Sequence, residues 1–159
     1  MKLYTLFTVI AIAAVTTSCK KPTDGITNRN TSEMIIGTHP GFAPAATPSH
    51  YYLINNTGAY EDTTNTKPNV QQYKFDYKLS QAKYDQVKSL LNQIPEALLK
   101  ENGKSYRSPN TADCSGNMVT TVIDGTTYTW SMEDCTEGMP DYVKPFADNV
   151  SAAVNILRQ

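Results

Sequence analysis

Residues 118–132 read MVTTVIDGTTYTWSM, two runs of β-branched and aromatic side chains joined by Asp124-Gly125. A two-residue Asp-Gly linker suits a turn that needs positive φ at both positions, and that turn matches the twist of an antiparallel pair. The stretch predicts a β-hairpin in which Ile123 faces Thr126. Side chains alternate between the two faces of such a pair. Ile123, Val119, Tyr128, Trp130 and Met132 then share the expected core face, and Val122, Thr120, Met118, Thr127, Thr129 and Ser131 share the other.

Carried outward, the same register sets Cys114 opposite Cys135 as a non-hydrogen-bonded pair, with Cα atoms about 4.5 Å apart. That separation falls inside the disulfide range of about 4.4 to 6.8 Å. The bridge would close a loop of about 22 residues, worth about 3 kcal/mol on the chain-entropy account. A bulge at Ser115-Gly116 would put the two cysteines out of line. The chain has three cysteines, and this pairing leaves Cys19 over.

Outward of the hairpin, residues 33–38 (EMIIGT) and 50–54 (HYYLI) read as strands separated by the turn-rich PGFAPAATPS. Residues 55–69 hold NNTG and the polar run EDTTNTKPN, and read as a second long connection. Over 70–79 the alternation is strict: Tyr73, Phe75, Tyr77 and Leu79 on one face, Lys74, Asp76 and Lys78 on the other. This predicts a strand with one wet face. Ser80 offers an N-cap. Tyr84, Val87, Leu91 and Ile94 then recur at helical spacing up to Pro95, with Leu98 and Leu99 continuing the apolar face, so a kinked or two-piece helix is expected over 81 to about 100. Val143, Phe146, Val150, Val154 and Leu157 predict a second helix over about 145–157, with Pro140 and Pro145 near its start. The expected fold class is α+β: an antiparallel sheet of about four to five strands with two helices on one face, in the order β-β-β-α-β-β-α, braced by one disulfide.

The chain begins with Lys2, then an apolar run over 3–15 broken by Thr5 and Thr8, then Thr16, Thr17, Ser18 and Cys19. Charge, apolar core and small-residue exit are the parts of an export signal. The run of about 13 residues is short of the roughly 20 that span a bilayer. Thr17-Ser18-Cys19 resembles the lipobox of bacterial lipoproteins, with Thr16 in place of the usual Leu as in the looser box of Bacteroidota. The resemblance implies cleavage before Cys19 and acylation of its thiol; the alternative is an ordinary secreted protein with an incidental cysteine. Two or three acyl chains anchor stably, each buried CH₂ contributing about 0.8 kcal/mol. Lys20 stands where an Asp would resemble an inner-membrane retention signal, and no acidic run follows Cys19. By the same resemblance the outer membrane, on its periplasmic face, is the expected location. The organisation is then a signal peptide over 1–18, a flexible tether over 19–31 and a single domain over 32–159. The mature chain resembles small Bacteroidota lipoproteins, and no activity comes with that resemblance.

About 140 residues remain after the signal, one domain of ordinary size. The formal net charge of the whole chain is −1, with no block of like charges, which argues against nucleic acid as a partner. No phosphate loop, dinucleotide glycine motif or paired-histidine helix occurs, and Ser115-Gly116 lacks the G-x-S-x-G surround of a nucleophile elbow. No catalytic, cofactor-binding or metal-binding residues are therefore assigned.

His39 and His50 lie at loop ends, and acid–base or metal work would need partners converging on them. Asp113, Glu133, Asp134, Glu137 and Asp141 cluster near the far end of the hairpin without calcium-loop spacing, and read as solvated surface. Asp62-Thr63-Thr64 is similar to the short O-glycosylation sequence of exported Bacteroidota proteins, which implies a sugar on Thr63. The tyrosines Tyr51, Tyr52, Tyr60, Tyr73, Tyr77, Tyr84, Tyr106, Tyr128 and Tyr142 either fill and rim the core or line a saccharide- or peptide-binding surface.

The expectation is a lipid-anchored, non-catalytic binding or structural module of the cell envelope, its partners being the membrane through Cys19 and an envelope protein or saccharide. The alternatives are an inhibitor of an exported hydrolase, presenting residues 39–49 or 100–113, and a small envelope enzyme using His39 or His50 with acidic residues.

Overall fold

The computed structural model describes residues 30–39, 50–64, 73–107, 114–133 and 138–159. Within them the strands are β1 (Thr31–His39), β2 (Tyr51–Asn55), β3 (Gly58–Glu61), β4 (Tyr77–Lys78), β5 (Ser105–Tyr106), β6 (Gly116–Ile123) and β7 (Thr126–Glu133). All seven join one sheet in the order β4-β3-β2-β1-β6-β7-β5.

β6 and β7 form the expected hairpin. Asp124 and Gly125 have φ of 50° and 78°, the positive values that this turn requires. Pairing runs without a shift from Ile123–Thr126 to Gly116–Glu133. The faces sort as the sequence predicts: Val119, Ile123, Trp130 and Met132 are buried in the core.

Three sheet expectations are corrected. The sheet has seven strands rather than about four to five, and it is mixed, because β5 pairs parallel to β7. The added strands are β3 and β5; β5 is two residues long, too short to carry a period. Within the expected long connection over 55–69, Asn56 and Thr57 turn the chain into β3, which pairs with β2 from Asn55–Gly58 to Tyr52–Glu61. The Asn55 side chain closes that turn by accepting from Thr57 N at 2.8 Å.

The alternating run over 70–79 is a strand only at Tyr77–Lys78 among its described residues. Upstream, the backbone is diverted: Lys74 N donates to the Asp62 carboxylate at 2.8 Å, and Lys74 O accepts from Thr63 N at 3.1 Å. Those bonds take the place of a sheet ladder. Tyr77, expected on the core face, is 59 % exposed at the sheet edge.

Between β4 and β5 the chain crosses as α1 (Gln81–Val87), a 3₁₀ turn over Lys88–Asn92 and, after Pro95, a second over Glu96–Glu101. Ser80 caps α1 by accepting from Lys83 N. The apolar face is the expected one: Val87, Leu91, Ile94 and Leu98 are buried, joined by Leu90. The C-terminal helix α2 (Lys144–Arg158) carries Pro145 in its first turn and buries Phe146, Val150, Val154 and Leu157. These segments form one core with Met34, Ile36, Tyr52, Ile54, Val119 and Trp130, all from one face of the sheet. Burying side chains of this size contributes about 1.5–3 kcal/mol each.

The edge of β7 beyond β5 is closed by a side chain. Asn102 accepts from Thr129 N at 2.9 Å and donates to Thr127 O at 3.1 Å, imitating a paired strand and shielding the edge from other chains.

Strand directions give the sheet two unlike ends. The turns at 56–57 and 124–125 lie at the end where β1 begins, whereas His39, Glu61, Tyr106 and Glu133, from which the longer connections leave, lie at the other.

The Cys114–Cys135 pairing is not placed, since Cys135 falls outside the described residues. Cys114 is buried just ahead of β6.

Candidate functional site

A cleft of about 390 Å³ opens between the 3₁₀ turns and the start of α2, lined by Gln93, Pro95, Asp141, Tyr142, Pro145, Phe146 and Asn149. A smaller cavity of about 140 Å³ shares Gln93 and Asn149 with it and continues between α1 and α2. The cleft exists because Pro95 stops the helical path of the crossover chain while Pro145 starts α2 just past Tyr142. Two segments distant in sequence thus diverge at their ends.

Tyr142 forms a wall of the cleft and is held from behind. Its hydroxyl donates to the Glu101 carboxylate, which also accepts from the Tyr106 hydroxyl and, at 2.7 Å, from Lys104 Nζ. The Glu101 backbone carbonyl accepts from Trp130 Nε1 at 3.1 Å, satisfying the one polar atom of a fully buried indole. The hydrogen bonds from Lys104, Tyr106 and Tyr142, in that order, draw the Glu101 carboxyl down to about 2. Burial and Glu101 push the Tyr106 and Tyr142 hydroxyls up. At neutral pH the hub is therefore a carboxylate receiving two neutral phenols and an ammonium, a charge-assisted arrangement.

The rim and floor of the cleft carry polar groups. Asn149 Nδ2 donates to Gln93 Oε1 at 3.0 Å, and Gln93 Nε2 donates to Ser89 Oγ at 3.2 Å. Asp141 pairs with Lys144 at 2.8 Å, which leaves the rim close to neutral.

The histidines fare differently from each other. His50 meets Glu61, with Nδ1 3.6 Å from Oε1, a partner on β3 that the sequence reading did not consider. The pair bridges strand ends, and neither residue lines either cleft. The side chain of His39 falls outside the described residues. Of the acidic cluster, Glu133 is buried and pairs with Arg107 at 3.5 Å, and Asp141 pairs with Lys144. Asp113, Asp134 and Glu137 lie outside the described residues. Among the described residues no group of three or more His, Cys, Asp or Glu side chains could hold a metal ion.

Thr63 is exposed and donates to Asp76 at 2.6 Å. Its neighbours Asp62 and Thr64 bond to each other at 2.8 Å beneath it. Cys19 lies outside the described residues, and no helix among those residues is long and apolar enough to cross a membrane.

Sequence reasoning singled out Tyr142 and Phe146 only as a tyrosine and a core position, and passed over Glu101, Gln93 and Asn149. One available signal was the pair Glu101 and Lys104 at helical spacing beside an aromatic residue.

No protein family, curated protein or solved structure matches this chain.

Proposed function

We propose that the protein is a lipid-anchored, non-catalytic binding module of the cell envelope, tethered by acylated Cys19 to the outer membrane and facing the periplasm. The observation that carries the binding half is the cleft at Tyr142. Its volume falls within the roughly 300–1,000 Å³ of small-ligand sites, and its aromatic wall is fixed by the Glu101 carboxylate before any ligand arrives. Ordering that ring costs nothing further on binding, which is how preorganised sites gain affinity.

The anchoring half rests on the Thr17-Ser18-Cys19 resemblance. The unbroken register of β6 with β7 as far as Gly116–Glu133 supports the proposed Cys114–Cys135 bridge. The exposure of Thr63 is compatible with a sugar on its hydroxyl.

A second reading, an inhibitor of an exported hydrolase, is favoured by the unlike ends of the sheet. His39, Tyr106 and Gly116, the described strand ends that border residues 40–49 and 108–113 in sequence, lie opposite the start of β1.

The test is capture from the solubilised native envelope, using the purified protein as bait and mass spectrometry as readout. Recovery of a component that the Tyr142→Ala protein fails to retain supports the cleft. Recovery of an exported hydrolase equally by both proteins supports the inhibitor. Recovery of nothing above an empty-resin control contradicts both.

A further inference from the structure

The cleft has more chemistry than a hydrophobic slot, and that chemistry selects among ligands. The Tyr142 hydroxyl is committed to Glu101, so what Tyr142 can offer the cleft is its ring. Pro95, Pro145 and Phe146 supply further apolar surface. Of the amides, Gln93 spends one Oε1 lone pair on Asn149 and one Nε2 hydrogen on Ser89. Asn149 uses one Nδ2 hydrogen on Gln93, which leaves the second hydrogen and the Oδ1 lone pairs to face a ligand. Asn149 thus brings a donor and an acceptor to the cleft that Tyr142 also lines.

We propose that this cleft binds a neutral saccharide, with a sugar ring laid on Tyr142 and adjacent hydroxyls paired with the Asn149 amide. The proposal rests on the reading of the protein as a binding module and names the ligand of that same cleft. Vicinal hydroxyls match the amide because each hydroxyl both donates and accepts, and the C–H face of a sugar ring packs on an aromatic plane. A phosphorylated or carboxylated ligand would call for a free Arg or Lys, whereas among the described residues no Arg or Lys lines the cleft and Lys144, beside Pro145 in sequence, is paired with Asp141. An extended peptide presents backbone donors and acceptors at a repeat of about 3.3 Å per residue and would need a row of partners, where the cleft supplies one pair of mutually bonded amides, Gln93 and Asn149.

Saturation-transfer NMR on the full chain, purified in a non-glycosidic detergent, tests this with maltose, cellobiose and N,N′-diacetylchitobiose as probes and glucose 6-phosphate as the charged comparison. At least one neutral disaccharide is expected to receive saturation on its ring protons. Tyr142→Ala should weaken that binding at least about tenfold. Asn149→Ala, at an exposed position where folding is little affected, should weaken it several-fold. Tyr77→Ala, at the far edge of the sheet, should leave it unchanged. Transfer to none of the three disaccharides, transfer indifferent to both cleft substitutions, or tighter binding of glucose 6-phosphate would each overturn the proposal. Envelope capture that depends on Tyr142 while all three disaccharides fail would overturn the saccharide and leave the binding module standing.

Discussion

Gly37 lies directly beneath Tyr51, so that a methyl group on its Cα would stand 2.2 Å from Tyr51 Cδ1 and 2.5 Å from the His50 carbonyl oxygen. The two residues are cross-strand partners in β1 and β2, and the tyrosine ring covers the space that a side chain at 37 would fill. Tyr51 is fully buried and carries Tyr73 against it at 4.7 Å between ring centroids, with Phe75 next at 5.5 Å. This aromatic row sits on the face of the sheet away from the helices.

Gly37→Ala is accordingly expected to cost about 2–3 kcal/mol through overpacking, read as a lowered midpoint in urea unfolding. In a Tyr51→Ala background, itself destabilised by loss of a buried ring, Gly37→Ala should cost less, because the closest clash disappears while the one with the His50 carbonyl remains. Strictly additive effects of the two substitutions would show that the ring does not occupy that space.

Acid should loosen the wall of the cleft. Glu101 titrates near 2 in the folded protein, against an ordinary value of 4.5, because Lys104, Tyr106 and Tyr142 bond to its ionised form. Between those two values the unfolded chain binds the extra proton, so stability rises with pH across this window. The Glu101 contribution is full above about pH 4.5 and is lost as the pH falls towards 2. Glu101→Gln should cost about 1–3 kcal/mol at pH 7 and flatten the acid limb of a stability–pH curve measured by denaturant unfolding. An acid limb identical to that of the unsubstituted protein would contradict the assignment.

The cysteine pairing has its own test. Mass spectrometry of the non-reduced protein should find Cys114 and Cys135 in one disulfide-linked peptide pair, as expected in an oxidising compartment. Cys114→Ser should lose about 3 kcal/mol of stability on the chain-entropy account. Alkylation of both thiols without prior reduction would contradict the bridge.

The parts of the fold legible in the sequence are those fixed by local chemistry. Asp124-Gly125 sets a register with no reference to the rest of the chain, and it holds along both strands. Ser80 and Pro95 bracket the crossover helix, and the period from Phe146 to Leu157 marks the face that α2 buries. What was not legible depends on partners far away in sequence. Ser105–Tyr106 is a strand only because Ser131 and Met132 lie beside it. The alternating run at 73–76 leaves the sheet because the Asp62 carboxylate captures Lys74 N, a competition that side-chain periodicity does not register. The cleft is of the same kind: Gln93 and Asn149 meet only after both helices dock on the sheet, and Glu101 becomes a hub only when β5 and the start of α2 deliver Tyr106 and Tyr142.

The proposed lipid on Cys19 would hold the protein at a membrane. Labelling cells with an alkynyl palmitate analogue and isolating the protein measures this directly. The unsubstituted protein is predicted to carry the label and Cys19→Ala to carry none, with both chains folded. Equal labelling of the two, or labelling of neither, would contradict the lipid anchor.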